Sequence, residues 1–403
     1  MTAPLEGIIV VDWTQWQMGT IASSMLADLG ATVIHIENRI TGDNGRGLLK
    51  GGIWKLPNGD SAYFEINNRG KKSLAVDLSK NQGKQILYRL VNKSDVFIHN
   101  FRQGVPEKLK MDYETLCKHN PKLIYAAASG YGPFGGEAKE PVYDFVGLAR
   151  SGIMNMAGDS EGIPQPIFGS IGDQVGGMMT GYGIMIALFV RERLGIGQKV
   201  DVSQLGSLMM LEGCAINRQL LMHEDWPLIN RKKVINPLWN YYKCSDNKAI
   251  MLANLQPDKQ WPIVCTALGI EDITNDPKFK NLEVRGNNSE EIISILDNIF
   301  ITKTSKEWMS ILKNAGDVVC CLVQNIADLE NDPQVLANGY IVERNHSTLG
   351  RIKVLGSPFQ FSKTPAEINT EAPQFGQHTE EVLVNICGYT WDEINELKRD
   401  EII

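Results

Sequence analysis

Gly7-Ile8-Ile9-Val10-Val11-Asp12 is a short apolar run that ends in an acid, and Thr32-Val33-Ile34-His35-Ile36-Glu37 repeats that form twenty-five residues later. Such near-continuous apolar runs read as strands buried on both faces. Between them, Thr20 to Leu29 puts Ile21, Met25, Leu26 and Leu29 at helical spacing and stops at Gly30, a helix-ending signal. Strand, helix, strand is a βαβ unit, so a parallel sheet with helices on its faces is expected. An acid closing the second strand invites a dinucleotide site. The first turn, however, is Asp12-Trp13-Thr14-Gln15-Trp16-Gln17-Met18-Gly19, without Gly-x-Gly-x-x-Gly, and two tryptophans and a methionine would keep a pyrophosphate from the helix start. NAD is therefore rejected, and the doubly wound, Rossmann-like topology is kept. Ligands are expected beyond the carboxyl ends of the strands.

Outward from this unit the alternation continues. Ser61 to Asn67 and Ser73 to Asp77 read as strands about the turn Asn68-Arg69-Gly70-Lys71-Lys72, and Gly83 to Val91 as a helix. Asp95 to Asn100 and Leu123 to Gly130 are further strands, each running into a polar turn. Gly195 to Ser203 leads through a turn into another strand, and Ser207 to Met222 is a Leu- and Met-rich helix. The region to about Val202 is α/β. Near Asp225 to Asn236 the prolines and Arg231-Lys232-Lys233 mark a linker. Residues 226–330 read as a smaller α+β domain, with strands at Trp239 to Lys243 and Ala249 to Ala253 and helices at Glu290 to Ile301 and Ser305 to Ala315. Residues 331–403 form a return segment ending in an amphipathic helix from Thr379 to Arg399.

Bulk properties exclude several functions. With 403 residues, 43% hydrophobic and 22% charged, the chain can bury a sizeable core. A net charge of −7 leaves no basic stripe for nucleic acid. No apolar run reaches a membrane span, and the N-terminus lacks a signal-peptide pattern, so a cytoplasmic protein is expected. Seven scattered cysteines without Cys-x-x-Cys, and six dispersed histidines, support neither disulfides nor a metal site.

One further stretch carries chemistry. Gly169-Ser170-Ile171-Gly172-Asp173-Gln174-Val175-Gly176-Gly177 sets an acid among glycines, ahead of a long apolar run from Thr180 to Val190 that reads as a buried helix. Asp173 either caps that helix or, with glycines letting a ligand approach closely, serves as a reactive carboxylate.

The ordered set Pro4-Leu5-Glu6-Gly7-Ile8, Leu26 to Glu37, Gly42-Asp43, Asn100 to Gly104, Ser129-Gly130-Tyr131-Gly132, Tyr143-Asp144, Gly172-Asp173, Gly195 to Ser203, Gly356-Ser357-Pro358-Phe359 and Gly376-Gln377-His378-Thr379 resembles the class III CoA-transferase family, which includes the formyl-CoA, carnitine and benzylsuccinate CoA-transferases. The resemblance spans nearly the whole chain and is weakest between residues 225 and 300. It implies a large domain, 1–225, completed by 331–403, a small domain, 226–330, and an interlocked homodimer; a heteromer with a homologous subunit is the alternative assembly, in which this chain would be a non-catalytic subunit, a role that its retained Asp173 speaks against. It makes Asp173 the nucleophile, attacking an acyl-CoA to give an aspartyl anhydride and then an aspartyl-CoA thioester. Coenzyme A enters as substrate, with no permanently bound cofactor.

The resemblance also distributes roles. Trp16, Gln17 and Met18 fall on the turn lining the site, with Gln17 able to donate to an acyl oxyanion. Asn38 and Arg39 fall where CoA adenine and ribose phosphate are held; Asn100, Phe101 and Arg102 match a CoA-contacting turn, and Lys108 a phosphate contact. Tyr143 and Asp144 match a pair beside the nucleophile, and two nearby acids push their pKa values apart. The Gly/Asp loop after Glu37 suits a flexible cover, while the family's glycine loop in the small domain has no counterpart. The same fold family includes 2-methylacyl-CoA racemases with a His–Asp pair; their His corresponds to Tyr143, a poor base near neutral pH. Trp13, Trp16, Trp54 and Trp239 suggest a bulky or aromatic acceptor acid, such as an aryl-substituted succinate, with succinyl-CoA as donor.

Overall fold

The computed structural model describes residues 2–47, 54–159, 161–228, 230–366, 368 and 371–403. Six strands form one parallel sheet: β1 (Ile9–Trp13), β2 (Thr32–Asn38), β3 (Lys72–Val76), β4 (Val96–His99), β5 (Ile124–Ser129) and β6 (Gln198–Ser203). Their order is β3-β2-β1-β4-β5-β6, with β1 hydrogen-bonded to β2 on one side and β4 on the other. The winding direction reverses between β1 and β4, and the crevice outside their carboxyl ends is where a ligand binds in such a sheet.

Residue alternation explains the two layers. Val11, Ile34, Phe97 and Tyr125 face one side, where the helix Asn81–Val91 and the C-terminal helices Thr379–Asn385 and Trp391–Arg399 cover them. Val10, Val33, Val96, Ile98 and Ile124 face the other, beneath the helices Met18–Asp28 and Ile171–Leu194. Both faces are dry, which is why these strands carry no polar alternation. The chain divides into two compact units, one made of residues 1–157, 164–227 and 336–403, the other of 158–163 and 228–335. The second has a three-stranded antiparallel sheet of β7 (Trp239–Lys243), β8 (Ala249–Ala253) and β9 (Cys320–Val323), whose core includes Tyr242, Leu252, Trp261, Phe300 and Trp308.

Several expectations are corrected. Ser61 to Asn67 is not a strand: Ala62–Asn68 is a helix, started by Ser61, whose Oγ accepts from the Phe64 N–H at 3.2 Å. The helix from Ser207 is two helices, Gln204–Leu211 and Gly213–Met222, broken at Glu212, and the tail helix is interrupted where Gly388 takes φ +72°. The long apolar helix runs from Ile171 to Leu194 and is not buried all round. Gly176, Gly177, Ile184 and Ala187 are buried, while Met178, Tyr182, Ile186 and Phe189 are exposed. The Gly42-Asp43 turn is no loose cover: Glu37, itself buried, accepts from the Asp43 N–H at 2.9 Å and binds Arg46 through two 2.7 Å hydrogen bonds. The remainder of that loop, 48–53, lies outside the described residues. Among the described residues no helix is long and apolar enough to cross a membrane.

Candidate active site

At the carboxyl ends of β1, β4 and β5 lies a cavity of about 300 Å³. Its wall includes Trp16, Gln17 and Met18 after β1, Asn100, Phe101 and Arg102 after β4, then Ser129, Gly130 and Tyr143, with Asp173 and Gln204. The first two turns are tied together. Asn100 Oδ1 accepts from the Gln15 N–H at 2.9 Å, and its Nδ2 donates to the Gln15 carbonyl at 2.6 Å. Trp16 takes a left-handed φ of +64°, a costly conformation for a tryptophan, and its N–H points at Asp43 Oδ1 at 3.4 Å.

Beneath this turn sits a buried charge cluster. Asp12 closes β1 with no exposure; its Oδ2 accepts from Lys71 Nζ at 2.9 Å and lies 3.0 Å from His35 Nδ1. His35 Nε2 is 3.2 Å from Asp43 Oδ2. Burial opposes charge on His35, but the charge of the Asp12 carboxylate, its hydrogen bond to His35, and Asp43 beside the other ring nitrogen outweigh it and raise its pKa to about 9. The row Lys71, Asp12, His35, Asp43 thereby runs from the sheet interior to the backbone of Trp16. Its members are close in space but distant in sequence.

Asp173 is the third residue of the long helix. The cap role falls to another acid: Asp144 Oδ1 accepts from the Asp173 N–H at 3.0 Å. Asp144 begins the helix Asp144–Ser151. The Asp173 carboxylate is thus free of its own helix end, and its Oδ1 accepts from Gln204 Nε2 at 2.7 Å. Burial first, and then the charge of Asp144, push its pKa up to about 7, against the Gln204 hydrogen bond. Asp144 is also raised, by burial. Near neutral pH Asp173 is therefore a partly desolvated carboxylate of unusual basicity for its type.

Glycines bring Met18 and its turn up to this helix. A Cβ on Gly176 would stand 2.7 Å from Met18 Cε, and one on Gly177 2.8 Å from the Met18 carbonyl oxygen. At Gly176 the flexible Met18 side chain would have to move; at Gly177 a side chain would meet the Met18 backbone and force apart the helices Met18–Asp28 and Ile171–Leu194, shifting the Gln17 turn.

Of the residues named from the sequence, the cavity gathers Trp16, Gln17, Met18, Asn100, Phe101, Arg102, Tyr143 and Asp173, and Asp144 joins them through Asp173. Asn38, Arg39 and Lys108 are outside its wall. Asn38 Oδ1 accepts from the Ile40 and Thr41 N–H groups; Arg39 Nε donates to the Ile403 carbonyl at 3.2 Å, and Arg39 lies 3.7 Å from Glu401. Lys108 is exposed on the short helix Val105–Leu109. Sequence reasoning missed Gln204 and Tyr63. Gln204 directly follows β6, and a polar residue just past a strand's carboxyl end was the available signal. Tyr63 packs edge-on against Trp16, with ring centroids 6.4 Å apart, and its pKa is raised by burial and then by Asp173 and two other acids.

Comparison with known proteins bears on this arrangement. The family model described as CoA-transferase family III matches residues 5–379. The chain is 30% identical over 402 residues to the (R)-2-hydroxy-4-methylpentanoate CoA-transferase of Clostridioides difficile, covering 99% of each chain. It is 30% identical over 407 residues to the cinnamoyl-CoA:phenyllactate CoA-transferase of Clostridium sporogenes, covering 100% of this chain and 98% of that one. A crystal structure of a CAIB/BAIF family protein from Brucella suis superposes with a TM-score of 0.85 at 26% identity, covering 96% of this chain and all of that one.

Proposed function

From the premise that this chain belongs to CoA-transferase family III and is an enzyme that transfers CoA, we propose that Asp173 is the nucleophile of the exchange. The carboxylate attacks the acyl-CoA carbonyl and expels CoA thiolate, leaving an aspartyl anhydride. The thiolate then attacks the aspartyl carbonyl, releasing the donor acid and leaving an aspartyl-CoA thioester, and the acceptor acid runs the steps backwards. One observation carries this proposal. A carboxylate with its pKa raised to about 7 faces a cavity at the switch point of the sheet, while a second acid takes over its helix-capping duty. Gln17, 7% exposed at the cavity wall, would donate to the substrate's acyl oxygen, and Asp144 would keep Asp173 basic.

Arg102 and Lys108, both exposed, suit the CoA phosphates, with Trp16, Met18, Asn100, Phe101 and Tyr143 along the pantetheine and acyl path. For Asn38 and Arg39 the test is KM: Arg39→Ala raises KM for acyl-CoA if the guanidinium binds CoA, and leaves it unchanged if it only ties down the C-terminal residues.

The acceptor we propose is a bulky acid, 2-hydroxylated or aromatic. Trp16, Phe101 and Tyr143 on the cavity wall support this, as do the relatives named for (R)-2-hydroxy-4-methylpentanoate and phenyllactate. Succinyl-CoA stays a candidate donor. The exposed apolar row Met178, Tyr182, Ile186 and Phe189 supports a homodimer, since a second copy would cover it; a monomeric mass in light scattering would remove that part. The test of function is CoA exchange from succinyl-CoA and cinnamoyl-CoA to a panel of acids, with Asp173→Ala alongside. We expect preferential turnover of phenyllactate-like acids over formate and oxalate, and a loss of at least about 10³-fold in the variant. Undiminished exchange by Asp173→Ala would overturn the nucleophile assignment.

A further inference from the structure

Gln204 is held more tightly than a bystander needs to be. It opens the helix Gln204–Leu211 directly after β6 and is 2% exposed. Its carboxamide Nε2 donates to Asp173 Oδ1 at 2.7 Å. Two glycines make room for the group: a Cβ on Gly147 would stand 2.0 Å from Gln204 Oε1, and one on Gly172 3.3 Å from Gln204 Cδ. Oε1 is buried without a hydrogen-bond partner among the described residues. A carboxamide normally turns to satisfy its oxygen. Here a turn would set that oxygen's lone pairs against the Asp173 carboxylate, so the donor end stays on Asp173.

We infer that Gln204 is a catalytic residue for the half of the exchange in which Asp173 is the electrophile, donating its Nε2 hydrogen to the oxyanion that develops on Asp173 Oδ1. The inference rests on the nucleophile assignment above. In the first step Asp173 Oδ2, the oxygen not bound by Gln204, forms the bond to the acyl carbon. The C–S bond breaks and its electron pair leaves on the CoA sulfur. In the second step that thiolate bonds to Asp173 Cγ, and the carbonyl pair moves onto Oδ1. Collapse breaks Cγ–Oδ2 and releases the donor carboxylate. No proton is transferred in either step. When the acceptor carboxylate attacks the aspartyl-CoA thioester, the negative charge returns to the same Oδ1. Gln204 therefore meets that charge twice per turnover, from a buried site that needs no rearrangement. In the first step the charge develops on the substrate's oxygen instead, where Gln204 does not reach.

The experiment uses the full chain with succinyl-CoA and cinnamoyl-CoA as donors, rapid acid quench, and mass mapping of adducts on Asp173. Gln204→Met keeps the length and removes the donor; Gln204→Asn keeps the carboxamide and shortens its reach. We expect overall exchange to fall about 10²–10³-fold in Gln204→Met, the loss typical of a missing oxyanion donor, and less in Gln204→Asn. First-step release of CoA thiol should stay within severalfold of wild type, so that the acyl adduct accumulates at the expense of the CoA adduct. Equal slowing of both steps would reduce Gln204 to a support for the carboxylate and overturn the inference, as would wild-type exchange in Gln204→Met. If wild type itself carries no adduct on Asp173, the nucleophile assignment falls first.

Discussion

Replacing Asp173 by Asn should stabilise the protein while abolishing its activity, and the gain should depend on pH in a defined way. The carboxyl ionises at about 7 in the folded chain against an ordinary 3.8, because burial and Asp144 oppose its charge. A raised carboxyl pKa is a destabilisation: it is absent below 3.8, grows as pH rises, and is complete above 7. At about 1.4 kcal/mol per tenfold change, the full effect is about 4 kcal/mol. Asn has the same shape and its Oδ1 can still accept from Gln204, so pH-independent terms cancel when two pH values are compared. Denaturant unfolding at pH 8 should show Asp173→Asn more stable by about 4 kcal/mol, with roughly 60% of that gain gone at pH 5. An Asn variant less stable at pH 8 than wild type, or equally displaced at both pH values, would refute the claim that this carboxylate is held in an environment hostile to its charge.

Four further outcomes follow from the same structure. If Asp173 is the nucleophile we propose, it must be ionised to act, and kcat/KM should rise with pH through about 7 and level off above it; a profile flat from pH 5 to 9 contradicts this. Lys71→Met removes one of the two cationic partners of buried Asp12, leaving His35, and should cost about 1–3 kcal/mol by denaturant titration. In wild type, His35, raised from 6.5 to about 9, stabilises fully below pH 6.5 and loses that contribution as pH rises through 9, so a His35→Gln variant should lack that part of the alkaline decline in Tm. Gly177→Ala drives a methyl against the Met18 carbonyl oxygen and Ile21 and should cost about 1–3 kcal/mol and lower exchange more than stability alone explains; unchanged kinetics would mean that the close helix crossing does not set the geometry of the Gln17 turn.

How much of this was legible beforehand follows from range. The strands ending at Asp12 and Glu37 were readable because burial on both faces leaves an unbroken apolar run, and Gly30 marked the helix end. Ser61 to Asn67 misled because its apolar residues fit either period, and the Ser61 cap, a local signal, was overlooked. The exposed stripe on Ile171–Leu194 was invisible: an apolar helix looks the same in sequence whether its own chain or another covers it. Asp173 stood out through its glycines, but the duties of Asp144 and Gln204 toward it depend on contacts across 29 and 31 residues, which no local pattern encodes. The row from Lys71 to Asp43 was likewise out of reach, since its members meet only when β1 and β2 lie side by side.

The most direct test of the central claim is covalent. The enzyme would be incubated with acyl-CoA and hydroxylamine, digested, and the peptide containing residue 173 sequenced by mass spectrometry. An aspartyl hydroxamate should form at Asp173, depend on the acyl-CoA and disappear in Asp173→Ala. A hydroxamate on any other carboxylate, or none while CoA exchange proceeds, would contradict the claim.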